Sequence, residues 1–229
     1  ENGVENDARA WIVRENDTRE NPTPYKEYPN PDASHVSLYL KSGAPEKGAL
    51  VTKKVKNQGV ETLVDDFSFS GGALAQAEKS KHRLLYVTPK LSEPIHLSGI
   101  TTITLKVASS KPAVNLSVWL VSLPWNDAKD AKITDNIITR GWADPQNHSS
   151  LTKGTPLTPG KFYELSFDLM PDDQIIAKGQ QIGLMIFSSD KEFTLWPNPG
   201  TELTIDLGAT TISLPIVGGA STLKKALKE

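Results

Sequence analysis

Hydrophobic and polar positions alternate with a period of two along much of this chain. In "KFYELSFDLM", Tyr163, Leu165, Phe167 and Leu169 fall on one face, and Glu164, Ser166 and Asp168 on the other. In "TELTIDLG", Leu203, Ile205 and Leu207 oppose Thr204 and Asp206. Half-buried antiparallel strands produce that pattern, because successive side chains point to opposite faces of a sheet. The runs "IGLMIF" and "VNLSVWLVSL" are instead apolar on both faces, which suits positions inside a sandwich. "HVSLYL" opens the series with Val36, Leu38 and Leu40, and "KSGAPEKGAL" reads as a hairpin-like connection. "VETLVDDFSFSGG" is a short apolar run closed by paired glycines. From Arg83 onward the strand signals are dense: "RLLYVTPKL", "GITTITLKVASS", "AVNLSVWLVSL", "KITDNIITRG", "EFTLWP" and "ATTISLPIVGG" join those above.

Helical signal is thin. "GGALAQAEKSKH" has room for one or two turns, and "STLKKALKE" is the better candidate, with Ser221 as N-cap and Leu223 and Leu227 on one face. Roughly ten short strands between Gly, Pro and Asn turns predict an all-β sandwich. No solenoid or propeller period is visible. The Pro-rich segment "ENDTRENPTPYKEYPNPD" resists helix, so residues 1–34 are expected to form an extended crossing of the same domain. Residues 35–220 then form the sandwich, and 221–229 a tail or short helix.

The 229 residues are enough to bury a sizeable core, and 38% hydrophobic with 23% charged residues is ordinary for a globular protein. The net charge of −2, with Lys and Arg scattered, gives no electrostatic footprint for nucleic acid or an anionic membrane. No apolar run approaches the ~18 residues of a membrane span. The absence of cysteine removes disulfides, thiolate zinc sites and thiol catalysis together. It does not fix a compartment; a cytoplasmic and a secreted bacterial location both fit. The start, "ENGVENDARAW", has no initiator Met and no signal-peptide pattern, and reads as excised from a longer protein.

Candidate chemistry is sparse. No Ser has Gly at both −2 and +2, so the nucleophile elbow is missing. His35, His82, His96 and His148 lack the spacing that puts two imidazoles on one metal, and are expected at surfaces or strand edges. Asp65/Asp66 and Asp172/Asp173 are carboxylate pairs, but neither sits in a Gly-centred calcium loop; solvated turns are expected. Trp119 belongs to the core. Trp11, Trp125, Trp142 and Trp196 lie near strand ends or in loops, where large amphipathic rings plug interfaces more often than they stack sugars. The N-x-S/T sequons at Asn16, Asn115 and Asn147 are near chance number, and Asn115 falls within a predicted strand. In "ITRGWADPQNHSS", a strand is expected to end at Arg140-Gly141, where Gly permits a bulge or a close approach. Arg140 is placed to pair with Asp144 and fix the corner.

The same residues carry a family likeness. R-G-W-x-D-P-Q-N at Arg140–Asn147, L-x-P-G-x-x-Y at Leu157–Tyr163, S-S-D at Ser188–Asp190, P-x-P-G-T at Pro197–Thr201 and L-P-I-V-G-G at Leu214–Gly219 follow in order. Together they resemble the C-terminal domain of Xaa-Pro dipeptidyl-peptidases, serine peptidases related to cocaine esterase and the α-amino acid ester hydrolases. The resemblance implies a jelly-roll, galactose-binding-domain-like sandwich packed on an α/β-hydrolase domain of the same polypeptide, which carries the triad. No residue here matches that triad, so no catalytic residue is carried over, and neither a cofactor nor a metal is implied. It further implies a peptide substrate for the parent enzyme, a role in bracing the catalytic domain and shaping the approach to its active site, and homo-oligomerisation as an additional property. Arg140, Trp142, Asp144, Asp190 and Trp196 are the candidate interface or rim residues, together with the Pro-rich crossing. An autonomous carbohydrate-binding module and a self-contained hydrolase or metal-binding sandwich are the competing readings.

Overall fold

The computed structural model describes residues 8–14, 22–126, 128–196 and 200–229. The Asn16 sequon, the first part of the Pro-rich crossing and Pro197–Pro199 lie outside them. Among the described residues there are fourteen strands rather than ten, numbered in chain order, and two α-helices. A small antiparallel ribbon pairs β1 (Ala10–Ile12) with β2 (Thr23–Tyr25). One layer runs in the order β10 (Ile137–Ala143), β9 (Leu116–Leu123), β13 (Gln181–Phe187), β6 (Leu84–Val87). The other is built around β14 (Glu202–Val217). On one side of β14 lie β5 (Val60–Val64) and β3 (Ala33–Lys41) in succession. On its other side lie β8 (Thr102–Ser109) and β7 (Ile95–Gly99), which in turn pair with β11 (Phe162–Asp168) and β12 (Asp172–Ile176). β4 (Gly48–Val51) joins the layers, antiparallel to β3 and parallel to β6. The all-β sandwich expectation holds, with this one parallel pairing as an exception to a wholly antiparallel scaffold.

The strands that are apolar on both faces find two cores. Leu116, Val118 and Leu120 of β9 and Leu184 and Ile186 of β13 meet Leu105, Leu203, Ile205, Ile212 and Leu214 of the facing layer. On the reverse side, Trp119, Val121, Leu123, Met185 and Phe187 form a second cluster beneath Leu74 and Ala75 of α1 (Gly71–Gln76). Ser70 caps that helix by accepting from the Ala73 N–H. Gly71 is required there, since a Cβ would lie 2.2 Å from the Trp119 ring. β11 shows the contrasting case: Leu165 is buried while Glu164, Ser166 and Asp168 are exposed, as their alternation predicts.

Several boundaries differ from expectation for local reasons. The described part of "EFTLWP", residues 192–196, is not a strand; the Phe193 and Thr194 N–H groups both donate to Asp190 O, and the chain turns. "TELTIDLG" and "ATTISLPIVGG" run as one strand, β14, irregular between Asp206 and Thr211. There the Asp206 carboxylate accepts from the Gly208 and Ala209 N–H groups. α2 (Gly219–Leu227) starts ahead of the predicted cap: Gly218 is the cap residue, and the Ser221 hydroxyl donates to Gly218 O. Leu223 and Leu227 are buried in the main core, as their spacing implies. β10 continues through Gly141 to Ala143, and its irregularity lies earlier, between Ile137 and Thr139. Gly141 still serves close approach, since a Cβ would sit 2.5 Å from the Leu169 side chain. Asn115 lies immediately before β9 rather than within it.

A candidate interface around Asp190

The alternation of β10 places Arg140 and Trp142 on the outer face of their sheet, beside Trp119 of β9. The loop after β13 brings Asp190 over that face. A single carboxylate oxygen, Asp190 Oδ2, accepts from both indoles: Trp119 Nε1 at 2.9 Å and Trp142 Nε1 at 3.0 Å. Asp190 is 2% exposed. Burial pushes its carboxyl above the ordinary range, and the two neutral indole donors and the nearby Arg140 charge only partly oppose that shift. Phe193 stacks on Trp142 at 5.2 Å between ring centroids. The Arg140 guanidinium lies over Phe193 at 4.4 Å, Trp119 at 5.6 Å and Trp142 at 5.8 Å.

Trp196 belongs to the same loop but not to the Asp190 cluster. Its ring stacks flat on Phe67 at 4.8 Å, and its Nε1 donates to Lys191 O. Phe69, Phe193, Leu195 and Trp196 are all exposed, Leu195 by 88%. Underneath, the loop is fixed to the sandwich by Asp65, whose carboxylate accepts from the Ser189 N–H and hydroxyl at 2.9 Å each. Asp65 is therefore a buried tie, not half of a solvated turn. Its neighbour Asp66 is the turn residue, bonded to Ser68.

The expected Arg140–Asp144 pair does not form. Asp144 accepts from the backbone and side-chain N–H groups of Gln146 and caps the turn Pro145–Asn147. Short-range capping wins because it needs no desolvation of a second charge.

A second carboxylate cluster escaped the sequence reading. Asp173 was expected in a solvated turn; it is buried at the start of β12. Arg14 Nε donates at 2.8 Å and His96 Nε2 lies at 2.9 Å from its Oδ1, while Tyr25 donates at 2.8 Å and Ser98 at 2.5 Å to its Oδ2. Burial alone would raise this carboxyl, but the donors from His96, Ser98, Tyr25 and Arg14 outweigh it and hold the group well below the usual range. Ser, His and Asp meet here, yet not as a catalytic relay. Ser98 donates to the aspartate, as His96 does, so no imidazole faces the hydroxyl. The cluster clasps the β1–β2 ribbon to the β7–β12 edge. His96 is thus engaged within this clasp. His35 is exposed on β3 beside Ser213, His82 bonds Val64 O, and His148 packs on Tyr163. Among the described residues, no group of three or more His, Asp or Glu is placed to hold a metal ion.

The family model described as "X-Pro dipeptidyl-peptidase C-terminal non-catalytic domain" matches residues 2–224. This chain belongs to that family. A protein of Rhodopirellula baltica assigned as a Xaa-Pro dipeptidyl-peptidase is 60% identical over 98% of this chain. A Bacillus anthracis protein of the same assignment is 34% identical over 95%. This C-terminal domain spans about a third of the length of those relatives, 36% and 34%. In fold it is similar to an aminopeptidase from a marine sediment Thaumarchaeota archaeon, with a TM-score of 0.69 and 15% identity over 91% of this chain and 40% of that one. It is similarly close to an α-amino acid ester hydrolase, with a TM-score of 0.67 and 16% identity over the same shares.

Inside this C-terminal domain the recognisable motifs have structural work. R-G-W and S-S-D converge on one cluster through the Trp142–Asp190 bond. In the L-x-P-G-x-x-Y run, the Thr158 N–H donates to the Tyr163 hydroxyl across a turn containing Gly160 at φ +76°. L-P-I-V-G-G ends β14 and starts α2, with Gly218 and Gly219 both at positive φ. Of P-x-P-G-T, Gly200 and Thr201 are described, and Asp65 N donates to Thr201 O at 2.7 Å. Neither Asp65 nor Asp173 carried a local signal, because their partners lie 124 to 159 residues away in sequence, or 75 to 77 for Ser98 and His96.

Proposed function

We propose that this domain braces an α/β-hydrolase domain of the same polypeptide and shapes the approach to its active site, within an enzyme that releases N-terminal X-Pro dipeptides. The observation that supports this reading is the exposed Phe193, Leu195 and Trp196 of one loop, beside the Arg140–Trp142–Asp190 cluster and tied underneath by Asp65. Solitary exposed hydrophobics are ordinary, but a contiguous patch of large apolar side chains marks an interaction surface. The substrate class follows from the names of the relatives. The family model describes a non-catalytic domain, so the effect on turnover is expected through support.

The test compares the full-length polypeptide with a version truncated before this domain and with this domain alone. The expected result is hydrolysis of Ala-Pro-p-nitroanilide by the full polypeptide, none by this domain, and a catalytic portion that melts lower or aggregates when truncated. A truncated enzyme with unchanged stability and turnover would end the bracing reading. Sugar binding has one observation in its favour: Trp125 lines a cleft of about 650 Å³ with Gln76, Asn126 and Lys132. Retardation in a polysaccharide gel that disappears in Trp125→Ala would promote that alternative.

A further inference from the structure

We propose that Arg140 anchors this domain by taking a carboxylate side chain, Asp or Glu, from the catalytic portion of the same polypeptide. The inference rests on the bracing role and adds the chemistry of the contact.

Three arginines differ in what their guanidinium groups meet. Arg83 is fully buried, and its guanidinium donates to the carbonyls of Leu74, Ala44, Pro45, Glu46 and Ala77. Arg14 donates to Asp173, Thr23 and Tyr25. Arg140 differs from both. Its charge is held over Phe193, Trp119 and Trp142, but among the described residues its N–H groups have no hydrogen-bond acceptor and no carboxylate within 4.0 Å. Asp190 is close enough to feel its field but gives one oxygen to the two indoles. The three rings hold the guanidinium in place, and a planar fork with unused donors matches a carboxylate bidentately.

The setting resembles a binding hot spot, where Arg and Trp sit inside an apolar rim that excludes water. Phe193, half exposed, forms that rim directly over the guanidinium. The length of the relatives points to the occupant. They are nearly three times as long as this chain, so most of the polypeptide is available to cover the patch. A cation in an apolar surround asks for an anion from that covering surface, since an unpaired charge buried at an interface is costly. A second copy of this domain fits less well, because a two-fold pairing centred on this patch brings Arg140 towards Arg140.

The experiment is arginine modification by phenylglyoxal, mapped by mass spectrometry, in the full-length polypeptide and in this domain released from it by proteolysis. Circular dichroism checks that the released domain keeps its strands. The expected result is Arg140 modified about tenfold or more faster in the released domain, the factor that accompanies loss of one good ionic contact. Equal rates would overturn the anchor. If Phe193 and Trp196 are protected from hydroxyl radicals in the full polypeptide while Arg140 stays reactive, the anchor fails and the bracing reading survives. If neither is protected, this face does not dock and both fail. Protection that appears in the released domain on raising its concentration, or on adding acetate, would also overturn the proposal in favour of a second copy or a free anion. Where the released domain loses its fold, full-length Arg140→Lys decides: the expected result is a lower urea midpoint for domain separation, because lysine keeps the charge and loses the fork. An unchanged midpoint would overturn the anchor.

Discussion

Asp173 and Asp190 are both withdrawn from water, at 4% and 2% exposure, yet their surroundings push their protonation in opposite directions. Asp173 is met by the charged guanidinium of Arg14 as well as by His96, Tyr25 and Ser98, and is held in its ionised form. Asp190 is met by two neutral indoles, while the nearest cation is turned to aromatic rings. Depth of burial therefore does not decide the state of a carboxylate; the charge and number of its donors do. Asp173 is completed within the domain and closes it. Asp190 lies beside a cation that is not completed, under a surface that remains apolar.

The largest loss is expected at Asp173. Asp173→Ala leaves Arg14 and His96 facing an empty site and is expected to cost about 3–5 kcal/mol, as for removal of one partner of a buried ion pair. Urea unfolding at neutral pH measures it, and a loss comparable to a surface substitution would show that the clasp is not closed. Asp190→Ala leaves the two indole N–H groups without their acceptor and is expected to cost about 1–3 kcal/mol. The same unfolding experiment, followed by tryptophan fluorescence, should show the change because both reporting rings lie in the cluster.

Stability against pH sharpens the contrast through its sign. Asp173 has a folded-state pKa below its unfolded value, so its contribution is full above about pH 4 and is lost as acid protonates it. Asp190 has a raised folded-state pKa. Its unfavourable contribution is present when ionised and is relieved as pH falls through that value. Asp173→Asn should flatten the acid limb of the stability curve, whereas Asp190→Asn should steepen it. Two variants moving the curve in the same direction would contradict the contrast. The smallest effect is expected for Tyr25→Phe, about 1 kcal/mol for one hydrogen bond, with the Arg14 and His96 contacts still in place.

The pattern along the chain made β3, β8, β9, β11, β13 and both halves of β14 legible, since each presents a continuous apolar face. It also identified β9 and β13 as doubly buried and Trp119 as core, without revealing that α1 covers the second face. It missed β1, β2, β7 and β12, three to five residues each, read most of β4 as a connection, and misread "EFTLWP", where two N–H groups folding back onto Asp190 O outweigh the strand character of Phe193 and Leu195. Arg140, Trp142 and Asp190 were each singled out beforehand, and the structure brings them together. The Asp144 partnership was misread because a neighbouring cap competes for the carboxylate at lower cost. Trp196 joins the same loop but a different stack.

By itself, then, the sequence determined a two-layer β architecture, the lack of a nucleophile elbow and the membership of a family. These are properties of period, spacing and motif order, which neighbouring residues carry. Only the tertiary structure decided which carboxylate is neutralised from within and which arginine is left with its donors open. Both depend on partners brought together from distant strands, and the field at a buried charge is set by whatever the fold places within a few ångströms of it.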